Sequence, residues 1–222
     1  MTAKRIPGSA RKAVNHRTRV GRERRARTQS KILAAALHVY AQQGPDAPVI
    51  DDFIRAAGVA RGTFYNYFKS TSELFEATAK WLEDDMMVSI ETEIGRTKDP
   101  LERLTSGVRL WLLRASSDAA WCSFVVRNRR RSSFVEKQVA GDLRGGRRKG
   151  VFSFPSIDVA RDMTVGTILE AMTRMMHGSV PSTYVDDVTR IVLRGLGLSS
   201  AAIDATLARP VPALQRPVQR VP

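Results

Sequence analysis

The sequence holds a single cysteine, Cys122, and one thiol can form neither an intrachain disulfide nor a multi-thiolate metal site. No apolar run approaches the roughly 18 residues that a membrane helix needs. The basic N-terminus is not followed by the apolar stretch of a secretory leader. Together these lacks lead us to expect a soluble, cytoplasmic protein with no membrane partner. Histidine is scarce too: His16, His38 and His177 stand far apart, and no His-Glu-x-x-His spacing is present, so no metal is expected. Neither a Gly-Lys-Ser/Thr phosphate loop nor a serine nucleophile elbow occurs. The Gly195-x-Gly197 pair follows a helical pattern rather than a strand, and reads as a helix stop rather than a dinucleotide loop. We therefore expect no enzyme and no cofactor. Alternating strand patterns are also rare, with Val151 to Phe154 the one short candidate.

Acidic residues are few relative to basic ones: Asp and Glu number 22 against 36 Lys and Arg, a formal net charge of +14. Such an excess points to a polyanionic partner, with nucleic acid first. It is concentrated in two blocks. Residues 1–27 carry ten Lys or Arg against Glu23 alone, and residues 127–149 carry nine against Glu136 and Asp142. A solvated helix face, a second DNA contact and a cavity rim for an anionic ligand all fit the second block.

Four regions follow from the pattern. Residues 1–21, with Pro7, Gly8, Gly21 and many charges, read as a flexible basic arm that could track phosphates or enter a minor groove. Residues 22–70 read as a helix-turn-helix head. Its first helix, from Arg22 to Gln43, carries an apolar stripe at Ile32, Leu33, Ala36, Leu37, Tyr40 and Ala41 and ends at Gly44 and Pro45. Residues 71–209 read as helical throughout, with helices expected near 72–95, 100–116, 119–130, 134–147, 157–177, 184–195 and 200–209. Residues 210–222, with four prolines, read as a disordered tail. The fold class is all-α.

The motif that carries chemistry runs from Val49 to Phe68. Two short apolar-patterned segments flank Gly58, which can take the positive φ that a tight turn requires. Phe53, Ala57, Val59, Phe64 and Phe68 can lock the two segments together. Arg61, Thr63, Tyr65, Asn66, Tyr67 and Lys69 are then left outside, offering cations and hydroxyls for phosphates and an amide for a base edge.

Ile32 to Leu37, Gly44 and the run Ala57-Gly58-Val59-Ala60-Arg61-Gly62-Thr63-Phe64-Tyr65-Asn66-Tyr67-Phe68 resemble the tetracycline-repressor (TetR) family over about residues 28–75. The resemblance implies a three-helix DNA-binding head, an all-helical body that binds a ligand and dimerises, and repression of an operator relieved by a small molecule. By position it implies DNA contacts from Thr28, Arg61, Gly62, Thr63, Tyr65 and Tyr67, with Tyr67 in place of the usual histidine. Two positions depart from the family. Val49 replaces a threonine cap at the start of the second helix, and Thr71 replaces a lysine that usually opens the fourth.

In the body, Trp111, Trp121, Phe124, Met163, Met172 and Met176 are the candidate lining of a ligand cavity, although such residues serve equally as plain core. The helices near 157–177 and 184–196 are apolar on more than one face, as suits a homodimer interface. The expected partners are thus duplex operator DNA, a second copy, and a lipophilic or anionic effector. A nucleoid-type protein coating DNA without reading sequence is the alternative.

Overall fold

The computed structural model describes residues 8–95, 97–128 and 133–211, with side chains from Arg19 onward except those of residues 128, 133 and 134. Among the described residues there are ten helices and no strand: α1 Gly8–Gln43, α2 Ile50–Ala57, α3 Arg61–Tyr65, α4 Thr71–Ile94, α5 Pro100–Ser117, α6 Ala119–Asn128, α7 Ser133–Arg148, α8 Ile157–His177, α9 Tyr184–Gly195 and α10 Ser200–Leu207.

Two segments differ from the sequence expectation, one in the head and one in the body. Helix α1 begins at Gly8, so the segment expected as a flexible arm over 1–21 is helical from that residue on. Gly21 is the one glycine and there is no proline between Ala10 and Arg27, where Ala, Lys and Arg favour a helix, and Arg19 pairs with Glu23 one turn away at 3.5 Å. Residues 1–7, and the tail from 212, lie outside the described residues. Val151–Phe154 is not a strand. Its backbone caps the end of α7, with the Val151 N–H donating to the Gly146 carbonyl at 2.9 Å, and ties it to the end of α9, with the Ser153 N–H donating to the Leu196 carbonyl.

The head closes around α1. Tyr40 meets Phe53 of α2 at 4.9 Å and Phe75 of α4 edge-on at 5.0 Å between ring centroids. Ile32, Ala36, Phe53, Phe64 and Leu74 around it are fully buried. The Tyr40 hydroxyl donates to the Thr71 carbonyl at 2.8 Å, which ties the start of α4 to α1. Burial pushes the Tyr40 phenol well above its ordinary pKa, so this donor keeps its proton. At the other end of the same turn, Ser70 caps α4 by accepting from the Glu73 N–H at 3.1 Å.

The body is a bundle in which α5 and α8 lie centrally, α5 packing on α6, α7, α8 and α9, and α8 on α6, α7 and α9. Asp99 with Pro100 opens α5 and Ser156 opens α8, each with a side chain accepting a first-turn N–H. Head and body meet where α1 packs on α6: the Ser123 hydroxyl donates to the Ala41 carbonyl at 3.0 Å.

Candidate nucleic-acid interface and internal cavity

The turn between α2 and α3 is set by Gly58, at φ 56° and ψ 48°. Its N–H reaches the carbonyls of Arg55 and Ile54, and no Cβ has to be accommodated in this left-handed backbone. Buried Ala57, Phe64 and Phe68, with half-buried Val59, hold α3 against the head. Helix α3 proper ends at Tyr65, and a tight turn carries the chain on through Tyr67 and Phe68, with both N–H groups donating to the Phe64 carbonyl.

The residues expected to face DNA lie together on this element, in different states of engagement. Gly62 and Asn66 are exposed, and Thr63 is half-buried. No described residue bonds the Thr63 hydroxyl or the Asn66 amide. Tyr65 packs edge-on against Phe64 at 5.9 Å, and its backbone carbonyl accepts from the Lys69 ammonium. Tyr67 is half-buried beneath the Arg25 guanidinium, 5.1 Å from its ring centroid. Arg25 also donates to the Asn66 carbonyl at 3.4 Å, which lays the basic end of α1 along α3. Arg22, Arg24, Arg25 and Arg27 are all exposed there. The Thr28 hydroxyl donates to the Arg24 carbonyl within α1 at 3.1 Å.

Arg61 is ion-paired to Asp51 of α2. That pair was not visible from the motif, because Asp51 sits ten residues away. Val49 supplies no side-chain cap to α2, as its lack of an oxygen dictates. Asp52 substitutes in part by accepting from the Val49 N–H at 3.0 Å. Asp51 and Asp52 both sit in the first turn of α2, where negative charge suits the helix dipole.

The second site is a cavity of about 140 Å³ enclosed by α4, α5, α6, α7 and α8. Trp111, Trp121, Phe124 and Met172, four of the six residues expected to line it, do so, with Leu82, Ile90, Val108 and Ile168. The other two do not reach it: Met163 turns its sulfur against Gly195 of α9, and Met176 packs elsewhere on the core. Trp111 and Trp121 stack tilted at 5.0 Å, and Arg114 lies 5.9 Å over the Trp121 ring.

Sequence reasoning missed the polar lining. Arg103 bridges α4 to α7, its Nη2 3.0 Å from Glu91 and its Nε 3.0 Å from Asp142, while Gln138 donates to Glu91 at 3.4 Å. Desolvation pushes the Asp142 carboxyl up, and Arg103 pulls it back down. Glu83, on the cavity face of α4, has no partner among the described residues. The available signal was that Glu83 and Glu91 share a helix face with Leu82, Met86 and Ile90.

None of the described cations of the basic block over 127–149 lines this cavity. Arg144, Arg147, Arg148 and Lys149 are exposed on α7 and its end, and residues 129–131 lie outside the described residues. Cys122 is buried beside it, and burial pushes its thiol up to about 11, as befits an unreactive core group.

Residues 32–78 match the model of bacterial regulatory proteins of the tetR family. Over those residues the head is similar to that of the tetR family. The segment is 46% identical over 50 residues to the uncharacterized HTH-type transcriptional regulator YvdT of Bacillus subtilis, covering 22% of this chain and 26% of that one. It is 36% identical over 76 residues to HTH-type transcriptional regulator CymR of Pseudomonas putida, covering 34% and 37%. The matched stretch thus spans well under half of these relatives, and it is the tetR head that they share. The fold extends further. The structure of RolR in complex with resorcinol aligns with TM-score 0.61 over 86% of this chain and 98% of that one, at 21% identity. The structure of FadR from Bacillus subtilis in complex with stearoyl-CoA aligns with TM-score 0.61 over 74% and 97%, also at 21%. The helical body therefore shares its fold with these two structures. No helix among the described residues is long and apolar enough to cross a membrane.

Proposed function

We propose that the protein is a DNA-binding transcriptional regulator, acting in the cytoplasm, that represses from an operator and is released when a small molecule enters its body. Thr63, Tyr65 and Asn66 enter the major groove, while Arg25 and its neighbours on α1, with Lys69, neutralise phosphates. Two copies pair through α8 and α9, which sets the two heads on successive major grooves.

The observation that carries this reading is the position of Phe124. It lines the cavity, and it also packs against Tyr40 and Phe75 at the base of the head. An effector that displaces Phe124 shifts the seat of the head, and one that binds the displaced state better disfavours the DNA-bound arrangement. The volume favours a small occupant. A cavity of about 150 Å³ accommodates a benzene-sized ring, so an effector on the scale of RolR's resorcinol fits this one better than a ligand on the scale of FadR's stearoyl-CoA.

The test is a mobility-shift titration on duplexes selected from a random library. Thr63→Ala combined with Tyr65→Phe is expected to weaken specific binding by about 1–3 kcal/mol. Val88→Ala, on an exposed face of α4, is expected to leave it unchanged. Equal losses from both would remove α3 as the reader. Deleting residues 1–20 separates this reading from DNA coating: a regulator keeps its sequence preference, whereas a coating protein loses nearly all binding.

A further inference from the structure

Within the cavity wall, charge is unevenly distributed. Glu83, Glu91 and Asp142 line it, against Arg103 as the one cation among the described lining residues. Arg103 is already held by two carboxylates at 3.0 Å each, so an incoming anion would have to displace both to reach it. Glu83 is held by nothing among the described residues. It lies eight residues before Glu91 on the same face of α4, about 12 Å along the helix. The cavity thus has a closed, internally satisfied end at Arg103 and an open acidic end at Glu83, with the aromatic rings of Trp111 and Trp121 in its wall. An indole face attracts cations and repels anions, so Trp111 adds to the same preference, whereas Trp121 already carries Arg114 over its ring.

From this we infer that the effector is a small aromatic or alicyclic amine, bound as its ammonium ion with the charge on Glu83 and the ring in the apolar pocket. The inference rests on the cavity being the effector site, and it replaces the anionic ligand that the basic block had suggested. A buried ammonium needs a carboxylate partner, and Glu83 is the group in the wall able to give one without breaking an existing ion pair.

Three probes of one size and different charge test it: phenethylammonium, 2-phenylethanol and phenylacetate, titrated calorimetrically into the full-length protein. Phenethylammonium is expected to bind about tenfold or more tightly than the alcohol, and phenylacetate most weakly. In Glu83→Gln the preference for ammonium over alcohol is expected to shrink by about tenfold, with alcohol binding in the same variant reporting that the cavity has folded. Phenylacetate binding best, no binding by any probe, or an undiminished preference in Glu83→Gln would each overturn the assignment. The same probes are added to the protein on its selected duplex. Ammonium binding that leaves DNA affinity unchanged overturns the effector-release reading and leaves the charge preference standing. Release by the alcohol or phenylacetate with no response to ammonium does the reverse.

Discussion

Phe124 of α6 stands edge-on to Tyr40 of α1, with ring centroids 5.9 Å apart and planes at 63°. One face of this contact belongs to the head and the other to the cavity, so a single side chain carries both packing and coupling. Phe124→Ala is expected to destabilise the protein by about 3–5 kcal/mol, as for other buried aromatic truncations. The Ser123 hydrogen bond to Ala41 remains, so the head stays attached. Calorimetric unfolding reads the stability loss. A loss below about 1 kcal/mol would mean that head and body are joined elsewhere.

Asp51 and Arg61 form an exposed ion pair on the face proposed to meet DNA, with 54% and 62% of their side chains accessible. Such pairs contribute about 0–1 kcal/mol to stability, so little is lost when DNA phosphate takes the place of Asp51. Asp51→Ala frees Arg61 and removes one negative charge near the phosphates. DNA affinity is expected to rise by about two- to fivefold at low salt, with the salt dependence steeper by about one ion. Stability is expected to fall by up to about 1 kcal/mol, because Asp51 also suits the α2 dipole. Titrations at several salt concentrations, alongside urea unfolding, separate the two effects. Unchanged affinity would show that Arg61 does not reach DNA.

The helices of the body were legible because each is written in a local code. Asp99-Pro100 and Ser156 mark starts, Gly197 at φ 88° marks a stop, and the apolar period fills the span between. Gly58 was legible for the same reason, since only its backbone freedom fits that turn. The extension of α1 was not, because charge density and Gly21 resemble those of a flexible segment while Ala and Arg propensities favour a helix. What the sequence concealed most was long-range pairing. Arg103 with Asp142, 39 residues apart, and Arg61 with Asp51 exist only once α5 meets α7 and α3 meets α2. The cavity separated Met172 from Met163 and Met176 for a related reason. All three lie on α8, but α8 is covered on several sides, and composition does not say which face is hollow.

Asp85 on α4 has its pKa pushed above the ordinary 3.8 by desolvation, then by nearby Asp118, with Arg114 opposing. A carboxyl whose folded pKa is raised binds its proton more tightly folded than unfolded. The folded state therefore gains stability as pH falls through the folded value toward 3.8, and is penalised above that window. Asp85→Asn is expected to stabilise the protein near neutral pH. The advantage over wild type shrinks as pH is lowered through the window, where the wild-type carboxyl protonates. Denaturant unfolding in steps from about pH 7 to about pH 4 reads this directly. An advantage that grows on acidification would mean that Arg114 outweighs the burial.

Val159 on α8 and Ile191 on α9 are 63% and 58% exposed, and both lie on helices whose opposite faces are fully packed. Isolated apolar side chains on a surface are ordinary, but two on the pair of helices proposed to dimerise suit a covered face. Arginine at both positions would bury charge without partners in that interface, a cost of several kcal/mol. The monomer should tolerate the change, because neither side chain contributes to its core. Val159→Arg with Ile191→Arg is therefore expected to convert a dimer into a folded monomer in sedimentation velocity, with an unchanged helical circular dichroism spectrum. Because one head alone contacts half an operator, DNA affinity should fall by far more than any single contact on α3 explains. A dimer that survives both substitutions would move the interface away from these two helices.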